Sequence, residues 1–399
     1  MPASPGAARP DAIRRHNLGL VLRHIHLDGA LTRAELTARL GVSRSTVGAL
    51  VADLTQLRLV QEVVPAGGAG VGRPSHVVAP HAGGPYTIAV DFDVPRMIVA
   101  AVGVGGTVLM RERAESLPGL DHVMAAAAIA ASIKRVSEAL DDSAWLVGVG
   151  VSVPGTVDRH SGRIGVAPNL GWRDAPLGAA LTHLLPDGIP VLVANDADLA
   201  VLAEYLRGSA RGCEDVVYVL GRTGVGAGII AGGVALRGHD GHAGEIGHDV
   251  VDESGPPCHC GKRGCVETYV GDGALLAGAG LAGPPTEQSV ARVFAAARAG
   301  DATALAAVEQ VAHALGRAVA SLVNALNPQR MLLGGSLSEL LDLARPTIER
   351  SLARYALAAA GDTVQLVQPT LGTDSMLLGA AEMAFTRLLE DPLTAQLVD

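Results

Sequence analysis

The sequence predicts an α/β protein in two unequal parts, a small helical head with two short strands and a large body in which strands and helices alternate. Three observations carry this expectation. Between Leu18 and Leu57 apolar residues recur at the spacing of short helices. Beyond Gly84, runs rich in Val, Ile and Ala alternate between strand-like and helical patterns. Charge divides along the same line: residues 1–80 hold nine Arg, no Lys and five acids, a net of +4, and the remaining residues carry a net of −13.

At 399 residues and 49% hydrophobic, the chain can bury more than one core, which excludes disordered and fibrous classes. The Ala-rich runs at 123–133 and 305–323 are broken by polar residues or flanked by helix signals, so neither reads as a membrane span. No apolar core follows the charges of residues 1–15, and a cytoplasmic protein is expected. Four cysteines are too few for a disulfide framework, but Cys258, Cys260 and Cys265 fall within eight residues, a clustering that suggests a metal. Cys213, remote from them, is expected to be an ordinary half-buried residue.

In the head, Leu18, Val21, Leu22 and Ile25 mark a first helix. Thr32 and Glu35 form a capping box ahead of Leu36 and Leu40, Gly41 breaks the pattern, and Ser43 caps a third helix with the stripe Val47, Leu50, Val51, Leu54 and Leu57. The first turn of that helix faces outward. β-prone runs at 59–64 and 75–78 flank a glycine-rich stretch, completing a winged helix-turn-helix over residues 10–79. Ser43, Arg44, Ser45 and Thr46 are the candidate contacts to operator DNA, with Arg73 on the wing suited to a minor groove. The competing reading is a three-helix protein-interaction module with a solvated arginine face. The order of caps, turn, stripe and wing favours DNA.

In the body, strands are expected at 86–93, 96–104 and 107–112 as a meander, then a helix at 123–140 and a strand at 145–153. A strand at 191–195 leads into a helix ending at 207, followed by strands at 216–220 and 226–231. A long helix at 302–326, a strand at 330–333 and a terminal helix from Ser375 close the chain.

The runs Val153-Pro-Gly-Thr-Val-Asp158, Asn195-Asp-Ala-Asp198, Ala243-Gly-Glu-Ile-Gly-His248, Cys258-His-Cys-Gly-Lys-Arg-Gly-Cys-Val-Glu267, and Asn327-Pro328 with Gly334-Gly335 resemble the ROK family of sugar kinases and sugar-responsive repressors. The winged head resembles its repressor branch. The resemblance implies a two-lobed actin-like, hexokinase-type body behind the head. Its first lobe would span 84–195, completed by about 376–399, and its second 196–375 with a zinc loop at 248–265.

It further implies a structural zinc on His248, Cys258, Cys260 and Cys265, one imidazole and three thiolates in the soft tetrahedral set that zinc prefers. The intervening His259 is a rival ligand on the residues alone, and the resemblance selects His248. Three unliganded thiols are the plainer alternative. Asn169, Asn195, Asp196, Glu245, His248 and Glu267 match positions that bind sugar hydroxyls, a set of acceptors and amides suited to a polyol. His248 would then serve both zinc and sugar. Asp196 also matches the general base of the kinases.

The phosphate turns depart from the kinase pattern. Asp91-Phe92-Asp93-Val94-Pro95 stands where kinases carry Asp-x-Gly-Gly-Thr, bringing an acid and an N–H-less proline toward phosphate. Arg222-Thr223-Gly224 replaces Gly-Thr-Gly, although Arg222 could itself bind phosphate. ATP–Mg is therefore not expected, and a sugar-sensing repressor is preferred to a sugar kinase carrying a DNA-binding head. A homodimer or homotetramer is expected.

Overall fold

The computed structural model describes residues 10–64, 76–93, 96–115, 119–158 and 160–397. In the head, α1 (Pro10–Asp28) turns Leu18, Val21, Leu22 and Ile25 into the interior. After β1 (Leu31–Thr32), α2 (Arg33–Leu40) opens on a reciprocal cap: the Glu35 N–H donates to Thr32 Oγ1 at 3.1 Å and the Thr32 N–H to Glu35 Oε2 at 2.7 Å. Gly41 ends that helix in the left-handed region, at φ 66°. Ser43 caps α3 (Arg44–Gln56), whose Val47, Leu50, Val51 and Leu54 are buried. The strands β2 (Val60–Val63) and β3 (Val77–Pro80) pair antiparallel, and β1 joins the free side of β3, a pairing the sequence did not predict. The glycine-rich stretch between β2 and β3, including Arg73, lies outside the described residues.

The body begins with the expected meander, β4 (Pro85–Phe92), β5 (Arg96–Gly103) and β6 (Val108–Glu115). Next come α4 (His122–Glu138) and β7 (Trp145–Val153), which lies parallel to β4. A hairpin, β8 (Ile164–Ala167) with β9 (Trp172–Ala175), precedes α5 (Leu177–Thr182) and β10 (Val191–Asn195). The resulting sheet has the order β10-β7-β4-β5-β6. From β10 the chain passes directly into α6 (Asp196–Arg207).

A second sheet follows, from β11 (Val216–Gly221), β12 (Val225–Ala231) and β13 (Val234–Ala235). Its covering helices are α7 (Glu267–Val270), α8 (Asp272–Gly278), α9 (Glu287–Arg298) and α10 (Ala302–Leu326). Then come β14 (Arg330–Gly335), α11 (Ser336–Tyr355), α12 (Ala358–Gly361) and β15 (Gln365–Val367), giving the order β13-β12-β11-β14-β15. α10 lays Val311, Leu315 and Val319 against Val219 and Leu333 of the sheet and Leu340 of α11 in one apolar cluster. The last helix, α13 (Ser375–Glu390), returns to the first sheet and packs on β4 and β7 beside α6.

The head is not carried on a free tether. One continuous apolar cluster runs from Leu22 and Leu54 in the head through Ala100 and Val102 of β5 to Phe385 and Leu388 of α13. No helix among the described residues is long and apolar enough to cross a membrane.

Candidate ligand cleft and metal centre

A cavity of about 310 Å³ opens between the two sheets, at the small end of the range for ligand sites. The end of β4, the β10–α6 junction, the β11–β12 turn, the β8–β9 hairpin and the loop around Glu245 all reach it. Asn169, Asn195, Asp196, Glu245, His248 and Glu267 line it together, although the sequence separates them by nearly a hundred positions.

Their local roles differ. Asn195 is the N-cap of α6: its Oδ1 accepts from the N–H groups of Ala197 at 2.8 Å and Asp198 at 3.2 Å, and its amide donates to the Gly155 carbonyl at 3.0 Å. That leaves one amide hydrogen for a ligand. Asp196 is buried, and burial pushes its carboxyl up to about 7; Arg222 opposes the rise, and Asp93 and Asp91 add to it. Near neutrality it can therefore either donate or accept. Glu245 is also raised by burial, against the pull of His248 and His242 and with a push from Glu267. Asn169 and Glu267 converge on the β11–β12 turn, where a Cβ at Gly224 would stand 3.3 Å from Glu267 Oε2 and 3.6 Å from Asn169 Nδ2.

The ligating atoms of His248, Cys258, Cys260 and Cys265 all lie within 4.8 Å of one another. Cys260 and Cys265 sulfurs are 3.7 Å apart, and Cys258 Sγ is 3.6 Å from His248 Nδ1. Three thiols and an imidazole in reach of one ion form a soft donor set that could hold a metal, with no position left open for catalysis. His259 lines the cleft but stands outside this group. The Cys258 thiol donates to Glu267 Oε1 at 2.8 Å, so His248 and Glu267 tie the cluster to the cleft. Cys213 is more buried than expected, 8% exposed, in a separate apolar cluster.

On the phosphate side, Arg222 donates to Asp91 Oδ2 at 3.2 Å and Asp93 Oδ2 at 3.1 Å, joining the second sheet to the first. Arg96 Nη2 stands 3.8 Å from the same Asp91 oxygen. The arginine that departs from one kinase turn thus pairs with Asp93, the acid that departs from the other, and with Asp91, which both patterns share. Val94 and Pro95 lie outside the described residues. Gly335 has a packing reason of its own, since a Cβ there would fall 1.9 Å from the Gly221 carbonyl oxygen.

In the head, Ser43 Oγ accepts from the Thr46 N–H at 3.1 Å and meets the Ser45 and Thr46 hydroxyls at 2.8 Å. The Ser45 and Thr46 hydroxyls each spend one hydrogen bond at the cap. Arg44 is exposed, and its side chain makes no ion pair or hydrogen bond among the described residues. The cleft also contains Thr156 and Arg173, which sequence reading did not select. Thr156 sits inside a quoted motif, whereas Arg173 is a lone arginine in a short strand and carries no local signal.

Residues 87–387 match the profile of the ROK family and residues 19–69 that of the MarR family. A glucokinase of Halalkalibacterium halodurans is 37% identical over 260 residues, covering 62% of this chain and 78% of that protein. A xylose repressor of Bacillus subtilis is 26% identical over 378 residues, covering 95% of this chain and 97% of the repressor. The crystal structure of a ROK family transcriptional regulator, a homologue of the E. coli MLC protein, matches with a TM-score of 0.78 at 26% identity, over 97% of this chain and 99% of its own. Identity is higher to the kinase, but likeness along nearly the whole length is to repressors. The chain belongs to the ROK family and carries a MarR-type winged helix-turn-helix ahead of its sugar-kinase-like body.

Proposed function

We propose that the chain is a transcriptional regulator, a repressor of carbohydrate-use genes, whose cleft binds a sugar or sugar derivative and whose head binds operator DNA. The observation that carries this reading against a kinase is the Arg222 bridge to Asp91 and Asp93. A nucleotide phosphate entering there would have to break two ion pairs and face the two carboxylates released. Asp196 sits where a general base would be and titrates near neutrality, which favours a residual kinase as the second reading. In a sensor the same carboxyl serves as a hydroxyl partner.

Asn169, Asp196, Glu245 and Glu267 are assigned to sugar hydroxyls, together with the remaining amide hydrogen of Asn195 and the free ring nitrogen of His248. Zinc is assigned to His248, Cys258, Cys260 and Cys265, where it fixes the loop that presents His248 and Glu267. The functional units are the head at 10–79, a first lobe at 84–195 completed by about 376–399, and a second lobe at 196–375. Sugar held between the lobes favours one lobe arrangement, and unequal affinity for the two arrangements alters the spacing of paired recognition helices in a homodimer or homotetramer.

Calorimetry of the zinc-loaded full chain with glucose, xylose, N-acetylglucosamine and ATP–Mg tests this reading, followed by a coupled phosphorylation assay. Sugar binding without ATP binding or turnover is expected. ATP binding with sugar phosphorylation would make the kinase the primary function.

A further inference from the structure

α6 joins two places that the proposed function needs to connect. At its first turn Asn195 and Asp196 line the cleft, and its 12 residues form a rod of about 18 Å. At its last residue, Arg207 enters a buried cluster shared by the head, α13 and the β5–β6 turn. Arg207 Nε donates to Glu382 Oε1 at 2.5 Å, Nη1 to the Gly105 carbonyl at 3.1 Å, and Nη2 to the His26 carbonyl at 3.1 Å. His26 Nε2 lies 2.9 Å from Glu382 Oε2, while the Gly105 N–H donates to His26 Nδ1 at 3.0 Å. With Nδ1 accepting, Nε2 carries the ring hydrogen toward the carboxylate, and Arg207 Nη2 stands 2.6 Å from the same nitrogen, so His26, Arg207 and Glu382 are packed against one another.

The cluster is largely buried, with the Arg207 side chain 12% exposed. His26 is 0% exposed and Glu382 4% exposed. Burial would raise the Glu382 carboxyl, but His26 and Arg207 together hold it below its ordinary value. A Cβ at Gly106 would fall 2.6 Å from Arg207 Cζ, so the turn is shaped to seat the guanidinium. A second strap leaves the same end of α6: Arg211 Nη2 reaches Asp28 Oδ1 at 2.6 Å at the end of α1, and Asp28 is also paired with Arg39 of α2.

Apolar contact alone is non-directional and would hold the head over a range of rotations. The ionic cluster satisfies its bonds in one geometry, and withdrawing Arg207 would strand the Glu382 charge in a dry interior. A displacement of α6 must therefore carry α1 with it or break the cluster.

We infer that Arg207, Glu382 and His26 form the latch through which occupancy of the cleft is transmitted along α6 to the DNA-binding head, with Arg207 as the positioning residue. This rests on the sugar-sensing reading above.

The test uses the full zinc-loaded chain and a duplex selected by it from a random library. DNA affinity is measured with and without glucose, xylose and N-acetylglucosamine, in the wild type, Glu382→Gln, Arg207→Lys and the triple variant His26→Leu/Arg207→Met/Glu382→Met. The triple variant replaces the whole buried set with apolar side chains and decides the matter if the single variants do not fold. In the wild type, sugar changes DNA affinity by roughly tenfold, and in the latch variants by less than about twofold, with calorimetric sugar affinity kept. A merely structural role would lower the melting temperature and leave that ratio intact. Folded variants that keep the wild-type ratio overturn the latch alone. A wild type whose DNA affinity responds to no sugar overturns the sensor reading, and the latch with it.

Discussion

Asp196 combines a cleft position, a helix N-terminus and near-complete burial, and its protonation is where these meet. Its folded-state value of about 7 stands above the ordinary 3.8, so between those limits the folded chain binds more protons than the unfolded one. Stability contributed by this group therefore falls as pH rises from about 4 to 7. Asp196→Asn, neutral throughout, is expected to melt with the wild type near pH 4 and to be more stable at pH 8, by on the order of 1–3 kcal/mol. Thermal melts at both pH values check this, and an equal effect at both would remove the burial argument. The residue types around Asp196 were legible because they stand in recognisable motifs. The Arg222 bridge was not, because its carboxylates lie 129 and 131 positions away and each departure had been weighed alone against phosphate. Nor did sequence show that Asn195 spends most of its hydrogen bonds on the α6 cap.

The metal loop is the element most dependent on its proposed ion. Between β13 and α7 the backbone forms one short 3₁₀ turn at Ile246–His248 and isolated bridges, such as Val250 with Cys265, among the described residues. Few apolar contacts compensate if the thiols lose their partner. Cys260→Ser is expected to abolish stoichiometric zinc, lower the melting temperature and weaken sugar binding about tenfold or more, because His248 stands in both groups and the cleft residue Glu267 accepts from the Cys258 thiol. Sugar-free DNA binding, made by the distant head, should change little. Elemental analysis decides it: one retained zinc per chain contradicts the ligand set. Elements with a full period were readable, and α10 runs over the residues that its apolar stripe indicates. The strands β1, β8 and β9 were not, since such short runs show no alternation of their own and, unlike β2 and β3, no glycine-rich turn between β-prone runs marks them.

For the whole molecule, the charge division survives folding in a sharpened form. Within the head, Arg14 pairs with Asp53, Arg33 with Glu62 and Arg39 with Asp28, while Arg15 reaches Asp391 beyond it. The three internal pairs balance acids already counted in the net of +4, and only Arg15, turned to Asp391, draws on that surplus. A body of net −13 repels the phosphate backbone, so affinity rests on a few outward cations rather than on a broad basic face. Arg44, exposed on the first turn of α3, is the foremost of these. In the proposed DNA-binding reading, the Arg44 guanidinium is assigned to a base edge, because it is exposed and a guanidinium offers a fork of donors that guanine can accept. Arg44→Ala is expected to lower affinity for a selected operator by about 10–100-fold and for a scrambled duplex by less than about threefold, leaving calorimetric sugar affinity unchanged. Equal loss on both duplexes, with the slope of log affinity against log salt reduced by about one, would make Arg44 a phosphate contact instead. No loss on either would remove α3 from the DNA surface and return the head to the protein-interaction reading.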